Sequence, residues 1–149
     1  MINIILVSSR NIDAYNLFQD IVLREIVRVQ YDLEVGRDEI TFHVPDEPRG
    51  GDYLFKKFCR ENELNVKFYK ANWNNLKEQP CLEKPSYQGM YNGYAGFNRN
   101  TRMVEQVRTN GGGVLLSFET RKKDTSDVVR KAGTTNNIEI RVIDCKGKV

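Results

Sequence analysis

The chain has 149 residues, 40% hydrophobic and 29% charged, which suits one domain with a buried core and excludes a disordered polymer. A net charge of +3 is too small to point to nucleic acid, and no apolar run reaches the roughly 18 residues of a membrane span. Cys59, Cys81 and Cys145 are scattered and odd in number; with the single histidine, His43, they make a poor zinc set and read as buried or reduced thiols, so no metal or cofactor is expected and the cytosol is the simplest compartment.

Residues 2–7 form a short apolar run without a basic flank, which reads as a strand buried on both faces rather than a signal peptide. Tyr15, Phe18, Val22, Ile26 and Val29 recur at helical spacing, predicting a helix over about 13–31. Gly36 and Arg37 mark a turn, and residues 39–44 (EITFHV) read as a second strand. Pro45 and Pro48 open a loop that ends in Arg49-Gly50-Gly51-Asp52, where Asp52 is placed to cap an amphipathic helix carrying Tyr53, Leu54, Phe55, Phe58 and Cys59. Residues 65–70 (NVKFYK) alternate as a third strand.

From 72 to about 95 the pattern fails, and a loop of that length is either functional or flexible. Order returns with a helix over 101–108, where Met103, Val104 and Val107 supply the apolar stripe. Gly111, Gly112 and Gly113 form a turn, and residues 114–118 (VLLSF) a buried strand. Asp124 is a good N-cap for a helix over 126–132, Gly133 a good C-cap, and residues 138–143 (IEIRVI) the last strand. Strands alternating with helices predict an α/β fold: one Rossmann-like three-layer domain over the whole chain, with a mainly parallel sheet of about five strands. Ligands of such sheets bind beyond the carboxyl ends of the strands, where strand order reverses.

Four stretches carry candidate chemistry. Ser8-Ser9-Arg10 offers hydroxyls, turn amides and a guanidinium to a phosphate, or simply makes a polar turn. Arg49-Gly50-Gly51-Asp52 permits a tight backbone, or is a loop ending in a cap. Residues 93–105 combine Tyr94, Gly96 and Phe97 with Asn98-Arg99-Asn100 at a predicted helix start; they suit a base and a phosphate, or a lid packing back on the domain. Residues 118–127 (FETRKKDTSD) offer Thr125 as a donor, and Glu119, Asp124 and Asp127 as carboxylates for acid–base work, or form a solvated charged loop. Trp73 serves as a core or lid aromatic or as a stacking surface, and His43 on its strand reads as structural. The basic residues are spread over every helix and read as solvated faces.

Taken in order, these motifs resemble the SLOG superfamily, the Rossmann-like group of LOG-type phosphoribohydrolases and DprA/Smf proteins, nearest its small YspA/YpsA-related branch. Ser8-Ser9-Arg10 stands where that branch has Gly-Ser-Arg, Arg49-Gly50-Gly51-Asp52 stands for its Gly-rich loop ending in Asp, and Ala71-Asn72-Trp73 for its Ala-Asp-Trp. Residues 95–103 (AGFNRNTRM) match its Ala-Gly-x-x-Arg-Asn-x-x-Met segment, and Asp124 to Asp127 occupy the place of its late Gly-Gly-Thr loop. Ser8 replaces a glycine, Lys123-Asp124 replaces Gly-Gly, and the catalytic glutamate pattern of the LOG hydrolases is not reproduced.

The resemblance implies a domain that senses or sequesters a nucleotide or a nucleotide-derived ligand such as an ADP-ribose derivative. Ser8, Ser9, Arg10 and Arg99 would hold phosphates, Asn100 and Thr125 would bond ribose or phosphate, and Trp73 or Tyr94 would pack on the base. The alternatives are hydrolysis of a nucleoside monophosphate at its N-glycosidic bond, with Asp127 or Glu119 as the carboxylate, and single-stranded DNA binding, which the near-balanced charge disfavours. The resemblance also implies self-association, and the compact form suits a viral or mobile-element protein.

Overall fold

The apolar run at the N-terminus becomes the middle of a parallel sheet. The computed structural model describes residues 1–48, 50–120 and 126–148. Its elements are β1 (Ile2–Ser8), α1 (Tyr15–Leu33), a single 3-10 turn (Arg37–Glu39), β2 (Ile40–Pro45), α2 (Gly50–Glu61), β3 (Val66–Tyr69), β4 (Glu83–Ser86), β5 (Gly89–Asn92), α3 (Ala95–Thr109), β6 (Gly113–Glu119), α4 (Asp127–Gly133) and β7 (Ile138–Asp144). Five strands lie in the order β3-β2-β1-β6-β7, every pair parallel, while β4 and β5 form a separate antiparallel hairpin.

Alternation within β1 assigns the two faces. Ile4 and Leu6 join Phe42, Val44, Leu116 and Phe118 in a core closed by Phe18, Val22 and Ile26 of α1 and Phe55 and Phe58 of α2. Ile5 and Val7 join Leu115 in a second core closed by Met103, Val104 and Val107 of α3 and Val128 and Ala132 of α4. The result is a Rossmann-like three-layer α/β fold. The rings of Phe18, Phe55 and Phe118 meet at centroid distances of 5.1, 5.6 and 5.7 Å, tilted or edge-on as their quadrupoles favour.

The second strand carries a polar cluster on the opposite face, the side of the second core. The His43 ring bonds the Tyr69 hydroxyl through Nδ1 (2.8 Å) and the Asn3 Oδ1 through Nε2 (2.9 Å). Asn3 is fixed by its own Nδ2, which donates to the Asn110 and Gly112 carbonyls. Its Oδ1 can only accept, so Nε2 carries the proton and Nδ1 accepts from Tyr69. Burial, and secondarily the charge of Lys67, pull the His43 pKa down to about 4, so the ring is neutral at neutral pH.

Several boundaries differ from the sequence expectation. The patternless stretch from 72 to 95 contains the β4–β5 hairpin, and α3 begins at Ala95 rather than 101. Gly96 sits inside the first turn of that helix, so a residue that reads as a breaker belongs to the element. Asp52 does not cap α2; it is the third residue of the helix, and its carboxylate turns to β1. The cap of α4 is Ser126, whose hydroxyl accepts from the Val129 N–H at 3.1 Å, and Thr134 rather than Gly133 closes that helix.

Candidate functional site

Strand order reverses between β1 and β6, and an open cleft of about 460 Å³ lies at their carboxyl ends. The turn after β1 contributes Ser8, Ser9, Arg10 and Asn11, the end of β6 contributes Ser117, Glu119 and Thr120, and Ser126 closes it from the start of α4. Among the described residues the lining is rich in hydroxyls, with one guanidinium, one carboxylate and no aromatic ring.

The turn after β1 is held by bonds to α2 and to the end of β6. The Ser8 N–H and hydroxyl both donate to Asp52 Oδ1, at 2.9 and 3.3 Å. The Ser9 N–H donates to the Phe118 carbonyl (2.9 Å), and the Ser9 hydroxyl accepts from the Thr120 N–H (3.1 Å). The amides of Ser8 and Ser9 are therefore engaged inside the protein and do not form the anion cradle that the sequence suggests. Arg10 forms no ion pair among the described residues, and the Ser9 and Ser126 hydroxyls, which accept from Thr120 and Val129, donate to no described residue.

The Gly50-Gly51 pair seats α2 on this turn. A Cβ on Gly50 (φ +76°) would stand 2.6 Å from the Arg10 carbonyl oxygen, and one on Gly51 would overlap the Ser8 hydroxyl. These glycines allow the close packing of helix on turn.

Behind the turn runs a charged network. Arg99 is 5% exposed; its Nη2 pairs with Glu47 at 2.7 Å and its Nε donates to the Asn100 Oδ1 at 2.8 Å. Asn100 Nδ2 donates to Asp127 Oδ2 (3.1 Å), which also meets Lys131 Nζ at 2.6 Å. Arg99 Nη1 is buried without a hydrogen-bond partner among the described residues. Burial pushes the Asp52 carboxyl up to about 7, although part of the residue still meets solvent; the Ser8 donors and the Arg99 charge oppose the rise, and Glu47 adds to it.

The sequence-predicted residues therefore divide. Ser8, Ser9, Arg10 and Glu119 line the cleft. Asp52, Arg99, Asn100 and Asp127 form the network behind it. Asn98, Arg99 and Asn100 are the fourth to sixth residues of α3, so their amides lie within the helix and not at its open start. Asn98 instead ties its side chain to the Pro80 carbonyl at 2.9 Å.

Trp73, Tyr94 and Gly96 gather elsewhere. Trp73, 42% exposed, meets Tyr91 edge-on at 6.3 Å, and its ring faces Gly96; Tyr94 meets Phe97 at 6.0 Å. Neither aromatic reaches the cleft, which corrects their assignment as its base platform. Arg49, Asp124 and Thr125 lie outside the described residues.

Of the two candidate catalytic carboxylates, only Glu119 lines the cleft, accepting from the Ser117 hydroxyl at 3.0 Å. Asp127 is engaged by Asn100, Lys131 and, at 3.6 Å, Arg130. Sequence reasoning missed Ser117, a visible signal as the one polar residue of a buried strand, and Thr120 and Glu47, which carry none. Among the described residues no three His, Cys, Asp or Glu side chains gather as metal ligands, and no helix is long and apolar enough to cross a membrane. Comparison with protein-family models, with curated proteins and with solved structures finds no match to this chain.

Proposed function

We propose that the chain binds a phosphate-bearing small molecule of the nucleotide type, such as an ADP-ribose derivative, in the cleft between the ends of β1 and β6. One observation carries this reading: a cleft of about 460 Å³ at the point of strand reversal, lined by hydroxyls and by Arg10, which forms no ion pair among the described residues. Its size falls in the range of small-molecule sites, and its place is where ligands of open parallel sheets bind. Arg10 would pair with the phosphate, and the hydroxyls of Ser9 and Ser126 would donate to it. Arg99 would act from behind, as a fixed positive charge held by Glu47 and Asn100. This role agrees with the SLOG-like order of motifs, and it moves the phosphate contacts from helix amides to side chains.

The testing experiment is a thermal-shift panel with AMP, ADP-ribose, NAD, cyclic nucleotides and oligo-dT on the wild type and on Arg10→Ala. A ligand at about 100 times its Kd stabilises by about 2.7 kcal/mol, a clear shift in Tm. The reading expects one nucleotide to shift the wild type and to lose its effect on Arg10→Ala. No shift at millimolar nucleotide, or an equal shift in both proteins, contradicts it.

A second reading has a specific observation behind it. Glu119 is a carboxylate of the cleft, and a carboxylate beside the ribose is what N-glycosidic hydrolysis requires. Release of free base from a bound nucleoside monophosphate, abolished in Glu119→Gln with binding retained, is the result that reading requires. Absence of release from a tightly bound nucleotide leaves binding as the whole activity.

A further inference from the structure

The two edges of the sheet differ. β3 has four residues, and just beyond it the Lys70 carbonyl accepts from Arg102 of α3 at 2.6 Å. β7 has seven residues, no proline and no glycine, and pairs only with β6 among the described residues. Its Val142 is 56% exposed. A long, regular, uncovered edge is a template for another strand, and proteins usually shorten, cover or interrupt it.

The flank of α1 stands beside this edge. Arg141 of β7 pairs with Asp32 of α1 at 3.0 Å, and Arg24 and Arg28 face β7 across an open cleft of about 440 Å³. Tyr31, 84% exposed, lies seven residues beyond Arg24 and so on the same side of the helix. An apolar ring is thus presented next to an open strand.

We infer that β7 is a self-association edge, on which a second copy of this chain lays its own β7 antiparallel and continues the sheet. The sequence of the strand, IEIRVID, selects that occupant by charge. A twofold axis normal to the sheet keeps each face on its own side, so odd-numbered residues lie opposite odd and even opposite even. Pairing centred on Ile140 sets Glu139 of each copy opposite Arg141 of the other, and Ile138 opposite Val142. A centre at Glu139 opposes two glutamates, and a centre at Arg141 opposes two arginines. The remaining centres within the strand pair no unlike charges. Unlike charges directly opposite stabilise a ladder and like charges weaken it, so one register is favoured and its neighbours are penalised. In that register the two α1 helices flank the seam on one face, with Tyr31 of each copy beside it.

Sedimentation equilibrium on the full chain tests this, with circular dichroism to check folding. The wild type is expected to be a dimer at about 200 µM, and Glu139→Arg and Arg141→Glu are each expected to weaken it by about tenfold. The double variant Glu139→Arg/Arg141→Glu exchanges the charges and is expected to recover the dimer. Val142→Lys adds a charge at an exposed position on the other face, without touching Arg141 or Asp32, and is also expected to weaken it. A monomeric wild type at that concentration overturns the inference. So does a dimer indifferent to Val142→Lys and to both single reversals, or a folded double variant that stays as weak as the single ones.

Discussion

The five-stranded sheet and the segment between β3 and α3 occupy one chain but are held by different chemistry. In the sheet, alternating residues of β1 feed two apolar cores, and the backbone ladder satisfies the amides. In the segment, β4 is wholly exposed and the hairpin has little apolar burial of its own. A polar hub replaces the core there. Asn92 is fully buried; its Oδ1 accepts from the Leu82 and Tyr94 N–H groups at 3.2 and 3.0 Å, and its Nδ2 reaches the Asn75 and Glu78 carbonyls. Arg102 of α3 adds a pair to Glu78 (2.7 Å) and a bond to the Lys70 carbonyl (2.6 Å). A hairpin alone is barely stable in water, so one well-placed amide decides whether this segment is ordered.

The contrast can be broken from the apolar side first. Phe18→Ala removes a ring packed on both Phe55 and Phe118 and is expected to cost about 3–5 kcal/mol, read by denaturant melts as loss of the whole fold. A loss below about 1 kcal/mol would mean that the aromatic cluster is not what holds the sheet to α1.

The polar cluster inside the sheet gives the next effect. The folded His43 pKa, about 4, lies below its unfolded value of 6.5, so the unfolded chain takes up the proton first. Stability from this group is complete above pH 6.5 and falls as the pH drops toward 4, by about 3 kcal/mol in all. Asp52 has the opposite sign. Its folded value, about 7, lies above the ordinary 3.8, so its contribution is complete below pH 3.8 and is lost as the pH rises to 7. Between pH 4 and 6.5 the two slopes oppose each other. Chemical melts of Asp52→Asn are therefore expected to show a steeper acid loss than the wild type. Equal slopes would show that Asp52 titrates normally.

Asn92→Ala leaves the Leu82 and Tyr94 amides without their acceptor and is expected to cost about 2 kcal/mol. The expected signature is local: hydrogen exchange speeds up across 75–94 while the amides of β1 keep their protection. Uniform acceleration would place the segment within the sheet's own cooperative unit. The smallest effect is expected from Arg102→Ala, about 0.5–1 kcal/mol by thermal melts, because its pair with Glu78 is partly exposed.

What was legible in the sequence follows the same division. Ile2–Ser8 and Gly113–Glu119 declare themselves as apolar runs, and the stripe of α1 fixes its length within two residues at each end. The start of α3 was hidden because Gly96 and the asparagines resemble a loop, while packing against Trp73 and the bond from Asn98 to Pro80 decide for helix. Asp52 resembles a cap because two glycines precede it, yet the contact of α2 with Ser8 places it inside the helix. Ser8-Ser9-Arg10 and Glu119 could be placed at one edge of the sheet because strand ends of a parallel sheet share that edge. Trp73 and Tyr94 were misplaced because sequence order does not tell which side of the sheet edge a long segment returns to.

The central claim is that the cleft at the ends of β1 and β6 is the ligand site. The most direct test is a titration of the isotope-labelled protein with ADP-ribose and with AMP, following backbone amide shifts. The account predicts that the largest changes cluster at Ser9, Arg10, Ser117, Thr120 and Ser126, around the cleft. Changes centred instead on Trp73, Tyr94 and Phe97, or none at millimolar nucleotide, would contradict it.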